Sequence, residues 1–106
     1  MRGFLAFQIL WELRNGPLNG QQIAKCIAVR RGTKPTPGTI YPALDKLKKD
    51  GLLNPEKTGR QVIYNLTTSG IKGLEDAARY FNQAFGDIAE ECKVMVLKIG
   101  DDCKSC

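Results

Sequence analysis

The sequence predicts a mainly α fold of the α+β type, in which one small domain is followed by a long helix. Three amphipathic helical segments come first, a pair of β-rich segments follows, and apolar residues then recur at heptad spacing. A chain of 106 residues with 42% hydrophobic residues can fill one modest core. No apolar stretch reaches the ~18 residues that cross a bilayer, and no signal-peptide cleavage site follows Met1. We therefore expect a cytoplasmic protein with no membrane partner.

The first two helices are predicted from apolar spacing and from their end signals. Phe4 to Arg14 is dense enough in apolar residues for a largely buried helix, which Asn15-Gly16-Pro17 ends. Asn19 is a good N-cap for a second helix that runs to about Arg30. The inward face of that second helix is predicted to comprise Ile23, Ala24 and Ile27.

The third helix is predicted from Pro37 to about Asp50. Proline is well tolerated at the first helical position, and the Thr36 side chain is expected to cap the free amide groups. Pro42 lies inside this helix and should bend or tighten its first turn, because proline has no amide donor. The spacing predicts an inward face of Ile40, Leu44 and Leu47.

A β-hairpin is expected after Gly51. Residues 52–56 and the β-rich segment 61–66 lie on either side of the short basic turn Lys57-Thr58-Gly59-Arg60, so Lys57 and Arg60 lie at the tip. Pro55 favours an edge strand, since proline cannot donate to a ladder on both sides. The sequence therefore predicts a two-stranded hairpin with a basic tip.

The last helix should begin with Thr68 or Ser69 as its cap and run to about Lys98. Its apolar residues alternate at spacings of three and four over about four heptads, which is typical of a coiled coil. A helix of about 45 Å is too long for this small domain to cover, so we expect it to pair with its own copy in a homodimer. The predicted dimer interface comprises Ile71, Leu74, Ala78, Phe81, Phe85, Ile88, Cys92 and Met95.

Charge is distributed unevenly along the chain. Residues 1–65 contain 11 basic and 4 acidic residues, a net charge of +7, whereas residues 66–106 contain 5 and 7, a net charge of −2. The whole chain therefore carries +5. This pattern favours a polyanionic partner for the N-terminal part.

Catalytic and metal chemistry have little support in this composition. The chain has no histidine, which is the commonest general base and transition-metal ligand near neutral pH. Acidic residues stand beside lysines or on polar helix faces rather than as isolated pairs. We expect no enzyme, no catalytic residue, no cofactor and no metal.

The order helix, helix, turn, helix, basic hairpin is typical of a winged helix-turn-helix module. Over about residues 4–75 the sequence also resembles the PadR family of transcriptional regulators. The segments that carry the resemblance are Gly16-Pro17-Leu18-Asn19-Gly20 with Ile23-Ala24, Pro37-Gly38-Thr39-Ile40-Tyr41-Pro42-Ala43-Leu44-Asp45-Lys46-Leu47, Asp50-Gly51-Leu52, and Tyr64-Asn65-Leu66-Thr67-Thr68-Ser69-Gly70.

The resemblance implies a homodimeric regulator, usually a repressor, whose two third helices bind a near-palindromic operator in double-stranded DNA. The chain looks like the short subclass with a single dimerising helix. It has Gln21-Gln22 where the family commonly has Tyr-Glu. Some relatives bind planar aromatic molecules between tryptophans at the dimer interface. Here the one tryptophan, Trp11, lies on the first helix, so a small-molecule inducer is possible but unsupported.

These inferences divide the chain into a DNA-binding domain (1–67), a dimerisation helix (68–99) and a cysteine-containing tail (100–106). The recognition helix spans about 36–50 and the wing about 56–62. Arg30, Arg31 and Lys34 are weaker candidates for DNA contact. The candidate DNA-binding residues are Thr36, Pro37, Thr39, Tyr41, Pro42, Lys46, Lys57, Thr58 and Arg60.

The four cysteines leave alternatives open. Cys26 fits a small buried position, and Cys92 falls on the heptad seam. Cys103 and Cys106 form a terminal CxxC that is compatible with a disulfide, a redox switch, an inert tail or, least, a zinc site. Two other functions therefore remain: a redox- or metal-sensing regulator, and a protein-interaction module built from the winged helix and the coiled coil.

Overall fold

The structure is a computed structural model that describes the backbone of residues 2–104 and the side chains of residues 4–95. The chain divides between residues 75 and 76 into two compact units. Helices predominate, with one small antiparallel sheet, which confirms the predicted fold class. The elements are α1 (Arg2–Glu12), a 3-10 turn (Leu13–Asn15), β1 (Leu18–Asn19), α2 (Gly20–Arg31), α3 (Pro37–Lys49), β2 (Leu53–Thr58), β3 (Gln61–Leu66) and α4 (Thr68–Lys104).

The core of the N-terminal unit is aliphatic and draws on every helix. Burying each such side chain contributes roughly 1.5–3 kcal/mol, so these residues fix how the helices are rotated about their axes. The predicted inward faces of α2 and α3 are confirmed. The buried residues are Leu5, Ile9, Leu10, Leu13, Ile23, Ala24, Ile27, Ile40, Leu44, Leu47, Leu53 and Leu74.

The predicted cap of α2 forms as a reciprocal capping box. The Gln22 backbone N–H donates to Asn19 Oδ1, and the Asn19 backbone N–H donates to Gln22 Oε1, each at 2.8 Å. At the other end, Gly32 has φ 81° and its N–H donates to the Ala28 carbonyl at 2.8 Å. Glycine takes this left-handed conformation at little cost, so α2 ends at Arg31.

The start of α3 differs from the prediction in its cap. The backbone carbonyl of Thr36 accepts the N–H groups of Thr39 and Ile40, each at 2.9 Å. The Thr36 side chain makes no capping bond, because its Oγ1 lies 3.1 Å from the Oγ1 of Thr39. The expectation that the Thr36 hydroxyl caps this helix was therefore wrong.

Pro42 lies inside α3 without interrupting it. The helix is α-helical from Pro37 to Lys49, so no tightened 3-10 turn forms at the proline. Pro42 removes one amide donor near the helix start, where few intrahelical bonds precede it. The helix ends before Gly51, whose φ is 79°.

The sheet has three strands rather than the two predicted. β3 is central, β2 pairs with it from Leu53↔Leu66 to Thr58↔Gln61, and β1 pairs on its other side as Leu18↔Tyr64. β1 has only two residues, too few for a period-2 pattern to be visible. The edge position predicted for the strand that contains Pro55 is confirmed. We call β2, β3 and their Gly59-Arg60 turn the wing.

The N-cap of α4 is Thr67, not Thr68 or Ser69. Thr67 Oγ1 accepts from the Gly70 N–H at 2.9 Å and donates to the Gly51 carbonyl at 2.6 Å. One hydroxyl therefore starts α4 and joins it to the end of α3. The helix continues to Lys104 instead of ending near Lys98, and its 37 residues span roughly 55 Å.

Candidate nucleic-acid interface

The outward face of α3 is exposed along the stretch predicted to read DNA. Because Ile40, Leu44 and Leu47 point into the core, the opposite side of the helix faces solvent. Tyr41 is the large apolar member of this surface and is 44% exposed. The predicted residues that are exposed on α3 and its cap are Thr36, Pro37, Thr39, Tyr41, Pro42 and Lys46.

Tyr41 packs on the backbone of the first turn of α2. A Cβ built on the buried Gly20 would lie 2.7 Å from Tyr41 Cε1 and 3.0 Å from its hydroxyl oxygen. Real Cβ atoms do not approach other atoms so closely, so only glycine at position 20 admits the ring in this place. Both residues belong to motifs noted in the sequence, but their contact was not predicted.

Two lysines of α3 are held in pairs along the helix. Lys46 Nζ lies 3.5 Å from Asp50 Oδ2, and Lys49 Nζ lies 3.0 Å from Asp45 Oδ2. All four side chains are at least half exposed, and such pairs contribute only about 0.3–0.5 kcal/mol. Lys46 can therefore exchange its carboxylate partner for a phosphate at small cost.

The wing carries exposed cations at its tip. Lys57, Thr58 and Arg60 are all exposed. Within residues 4–95, no ion pair involves Lys57 or Arg60. Two uncompensated positive charges near the wing turn suit a polyanion.

A groove of about 350 Å³ separates α3 from the wing, and we call it the wing groove. Tyr41 also borders a second groove, of about 450 Å³, that runs past Lys34 and the start of α3. The wing groove is lined by Tyr41, Arg60, Gln61, Val62 and Tyr64, with Asn19, Gly20 and Gln21 at the start of α2.

Tyr64 is a wing-groove residue that the sequence analysis did not propose as functional. Burial raises its pKa above the usual 10.0, and the neighbouring Tyr41 and Asp45 add to that rise. Its phenol is therefore protonated at neutral pH. From the sequence, Tyr64 could be assigned only to a strand. The direction of its side chain could not be predicted, because it depends on pairing with β1.

The basic residues between α2 and α3 divide into two kinds. Arg30 Nε donates to Glu12 Oε1 at 3.0 Å, and the Glu12 side chain is only 8% exposed, so this contact joins α2 to α1. Arg31 and Lys34 are exposed, and no ion pair among residues 4–95 includes them. Arg30 is thus the least available of the three for DNA.

The heptad seam of α4 is exposed over much of its described length. Leu74 is the exception: it is 7% exposed and packs in the core of its own unit, so its surface is already covered within the chain. Ile71 is exposed and Ala78 is half-buried. Further along, the rings of Phe81 and Phe85 lie 5.4 Å apart. The exposed seam residues of the C-terminal unit are Phe81, Phe85, Ile88, Cys92 and Met95.

The cysteine predictions are only partly within the described residues. Cys26 is half-buried rather than fully buried, Cys92 is exposed, and both are free thiols. The side chains of Cys103 and Cys106 lie outside the described residues, and so does the possible disulfide between them. In the described part of the chain, no cluster of three or more metal-ligating side chains is present and no helix is long and apolar enough to span a membrane.

The family follows from a comparison with known proteins. A model of the PadR-like family of transcriptional regulators matches residues 9–76, which include α2, α3 and the whole wing. The chain belongs to this family. The resemblance inferred from the sequence is thereby confirmed, and the family is one of regulators rather than enzymes.

The chain also resembles one curated protein over most of its own length. The chain is 35% identical over 83 residues to an uncharacterized 37.1 kDa protein in transposon TN4556 of Streptomyces fradiae; the match covers 77% of the chain and 24% of that protein. The chain thus spans about a quarter of this relative's length.

Solved structures show the same fold. A transcriptional regulator from Clostridium thermocellum matches with a TM-score of 0.74 at 24% identity, covering 84% of this chain and 90% of that one. A winged-helix DNA-binding protein from STIV matches with a TM-score of 0.66 at 23% identity, covering 77% and 90%. The architecture is a winged helix with a long C-terminal helix.

Proposed function

We propose that this PadR-like regulator is a cytoplasmic homodimer that binds double-stranded DNA in a sequence-specific manner and represses transcription. The observation that carries the proposal is the exposed face of α3 beside the uncompensated cations of the wing. An exposed helix of this length fits the major groove, and an adjacent basic hairpin can follow the phosphate backbone.

The first turns of α3 are the part proposed to read bases. Recognition helices contact base edges mainly through their N-terminal residues. Here that part offers the hydroxyl of Thr39 and the ring of Tyr41. Thr36 and Lys46 are proposed to bind phosphates, and Pro37 and Pro42 to provide close apolar contact.

The wing is proposed to act through charge rather than sequence. Lys57 and Arg60 are free of intramolecular ion pairs in the described part of the chain, and Thr58 adds a hydroxyl donor. Each phosphate contact releases counterions, so affinity should fall steeply as salt rises.

The proposed dimer forms through the C-terminal unit. Exposed Phe81, Phe85, Ile88 and Met95 follow a heptad spacing, for which a second copy of the same helix is a natural complement. Full burial of each would contribute roughly 1.5–3 kcal/mol. Pairing would place two copies of α3 for successive major grooves, which are about 34–36 Å apart. A dimer seated on an operator would then obstruct transcription.

A salt titration tests DNA binding directly. Fluorescence anisotropy with a mixed-sequence duplex should show binding at low salt that weakens by orders of magnitude between about 50 and 200 mM salt. Lys57→Ala should make this dependence shallower without changing the preferred sequence. Absence of duplex binding and of heparin retention at low salt would instead favour the protein-interaction module.

A further inference from the structure

We propose that Arg60 and Tyr41 hold a single DNA phosphate together in the wing groove, whereas Lys57 contacts the DNA backbone independently of them. This inference rests on the DNA binding proposed above. It divides the two wing cations, which the sequence analysis treated alike, into two roles.

The two wing cations occupy different positions in the sheet. Arg60 precedes the central strand β3 and lines the wing groove together with Tyr41. Lys57 belongs to β2, the outer strand, and does not line that groove. Arg60 therefore borders the same groove as Tyr41 of the recognition helix, and Lys57 does not.

The lining of the wing groove is rich in hydrogen-bond donors. Arg60 offers a guanidinium, Tyr41 and Tyr64 offer hydroxyls, and Gln21 and Gln61 offer amides. Among the described residues, no carboxylate lines the groove. Asp45 lies close enough to raise the pKa of Tyr64, but its Oδ2 is paired with Lys49 Nζ at 3.0 Å. This donor set suits a phosphodiester.

The wing groove is also held in shape before any ligand arrives. Tyr41 packs on Gly20, and Asn19 Nδ2 donates to Gln61 Oε1 at 3.4 Å, which joins the start of α2 to the wing. The backbone N–H of Asn19 donates in turn to Gln22 in the capping box. Tyr41 is therefore in position before an anion binds, so its hydroxyl loses little entropy on binding.

A double-mutant cycle tests the shared phosphate. Arg60→Ala and Tyr41→Phe should each weaken binding to one selected duplex by roughly tenfold, and the double variant should lose about the same tenfold rather than a hundredfold. Lys57→Ala combined with Tyr41→Phe should instead multiply the two single losses. Unchanged thermal unfolding of each variant controls for folding.

A scan with neutral phosphates identifies the contact on the DNA. Methylphosphonate is placed at one backbone position at a time in the same duplex. At one position the losses from Arg60→Ala and from Tyr41→Phe should both disappear, while the loss from Lys57→Ala persists.

The outcomes separate this proposal from the proposed function. If the wild-type chain binds no duplex at low salt, DNA binding itself is refuted. If it binds but the two losses multiply, or disappear at different phosphates, only the shared phosphate is overturned.

Discussion

Gly20 shapes the proposed DNA-binding surface because it has no side chain. With no side chain there, the Tyr41 ring lies against α2 and lines both grooves beside α3. The sequence could identify both residues from their motifs. It could not show their contact, because that depends on how α2 and α3 cross.

Replacing Gly20 with alanine should displace Tyr41. The new Cβ would lie 2.7 Å from Cε1, and the partly exposed ring can swing toward solvent rather than unfold the domain. We expect DNA affinity to fall severalfold with a loss of less than about 3 kcal/mol in unfolding free energy.

Gly73→Ala is the matched control, because its Cβ would make an ordinary 3.6 Å contact with Leu52 Cδ2. Anisotropy titration and urea unfolding of both variants measure the two effects. Unchanged DNA affinity in Gly20→Ala would refute the positioning role of Gly20.

Tyr64 predicts a pH effect in the alkaline range. Its folded-state pKa is raised above 10.0, so the folded chain holds this proton more tightly than the unfolded chain does. The corresponding stability is fully present below about pH 10 and is lost as pH rises through the raised pKa.

Tyr64→Phe isolates this effect from the titration of lysines, which is common to both proteins. The unfolding free energy of the wild type, measured by urea titration between pH 8 and about 11, should fall more steeply than that of Tyr64→Phe. Parallel curves would show that the pKa of Tyr64 is the same in the folded and the unfolded chain.

At the scale of elements, the sequence predicted the features that depend on apolar periodicity and on helix-end residues. The inward faces of α2 and α3 and the Asn19 cap formed as expected, since each depends on nearby residues. β1 was missed, because two residues form a strand only when β3 lies beside them. The cap of α4 moved to Thr67, because the contact that decides it, with Gly51, is distant in sequence.

The junction between α4 and the end of α3 depends on Gly70. A Cβ at this position would overlap the Leu52 carbonyl oxygen, which belongs to the backbone and cannot rotate away. Gly70→Ala should therefore destabilise the N-terminal unit by about 1–3 kcal/mol or more. Urea unfolding measures this loss, with Gly73→Ala as the control. Equal stability of the two variants would contradict the close approach.

At the scale of the whole molecule, net charge and side-chain exposure support different proposed functions for the two parts of the chain. Residues 1–65, whose net charge is positive, include α3 and nearly all of the wing. The remainder, whose net charge is negative, includes the exposed heptad seam. A dimer would therefore present about fourteen excess positive charges to its operator, divided between its two N-terminal parts. A second copy of the chain could be proposed as the partner only from the apolar seam residues that an unpaired helix leaves exposed.

A charge placed on the seam should break the proposed dimer. Phe85→Lys replaces a 41% exposed ring, whose burial would contribute roughly 1.5–3 kcal/mol per copy, with an ammonium group. We expect light scattering to report a monomer at low micromolar concentration. Gln83→Lys adds the same charge to the same helix off the seam and should leave a dimer. A Phe85→Lys dimer would mean that the seam is not the interface.

The most direct test of sequence-specific DNA binding is selection of bound sites from a pool of random duplexes by the wild-type chain. We predict enrichment of a near-palindromic site with two half-sites centred about 10 base pairs apart, and loss of that preference in Thr39→Ala or Tyr41→Ala. Binding without enrichment of any sequence, or no binding at low salt, would contradict the reading of DNA by α3.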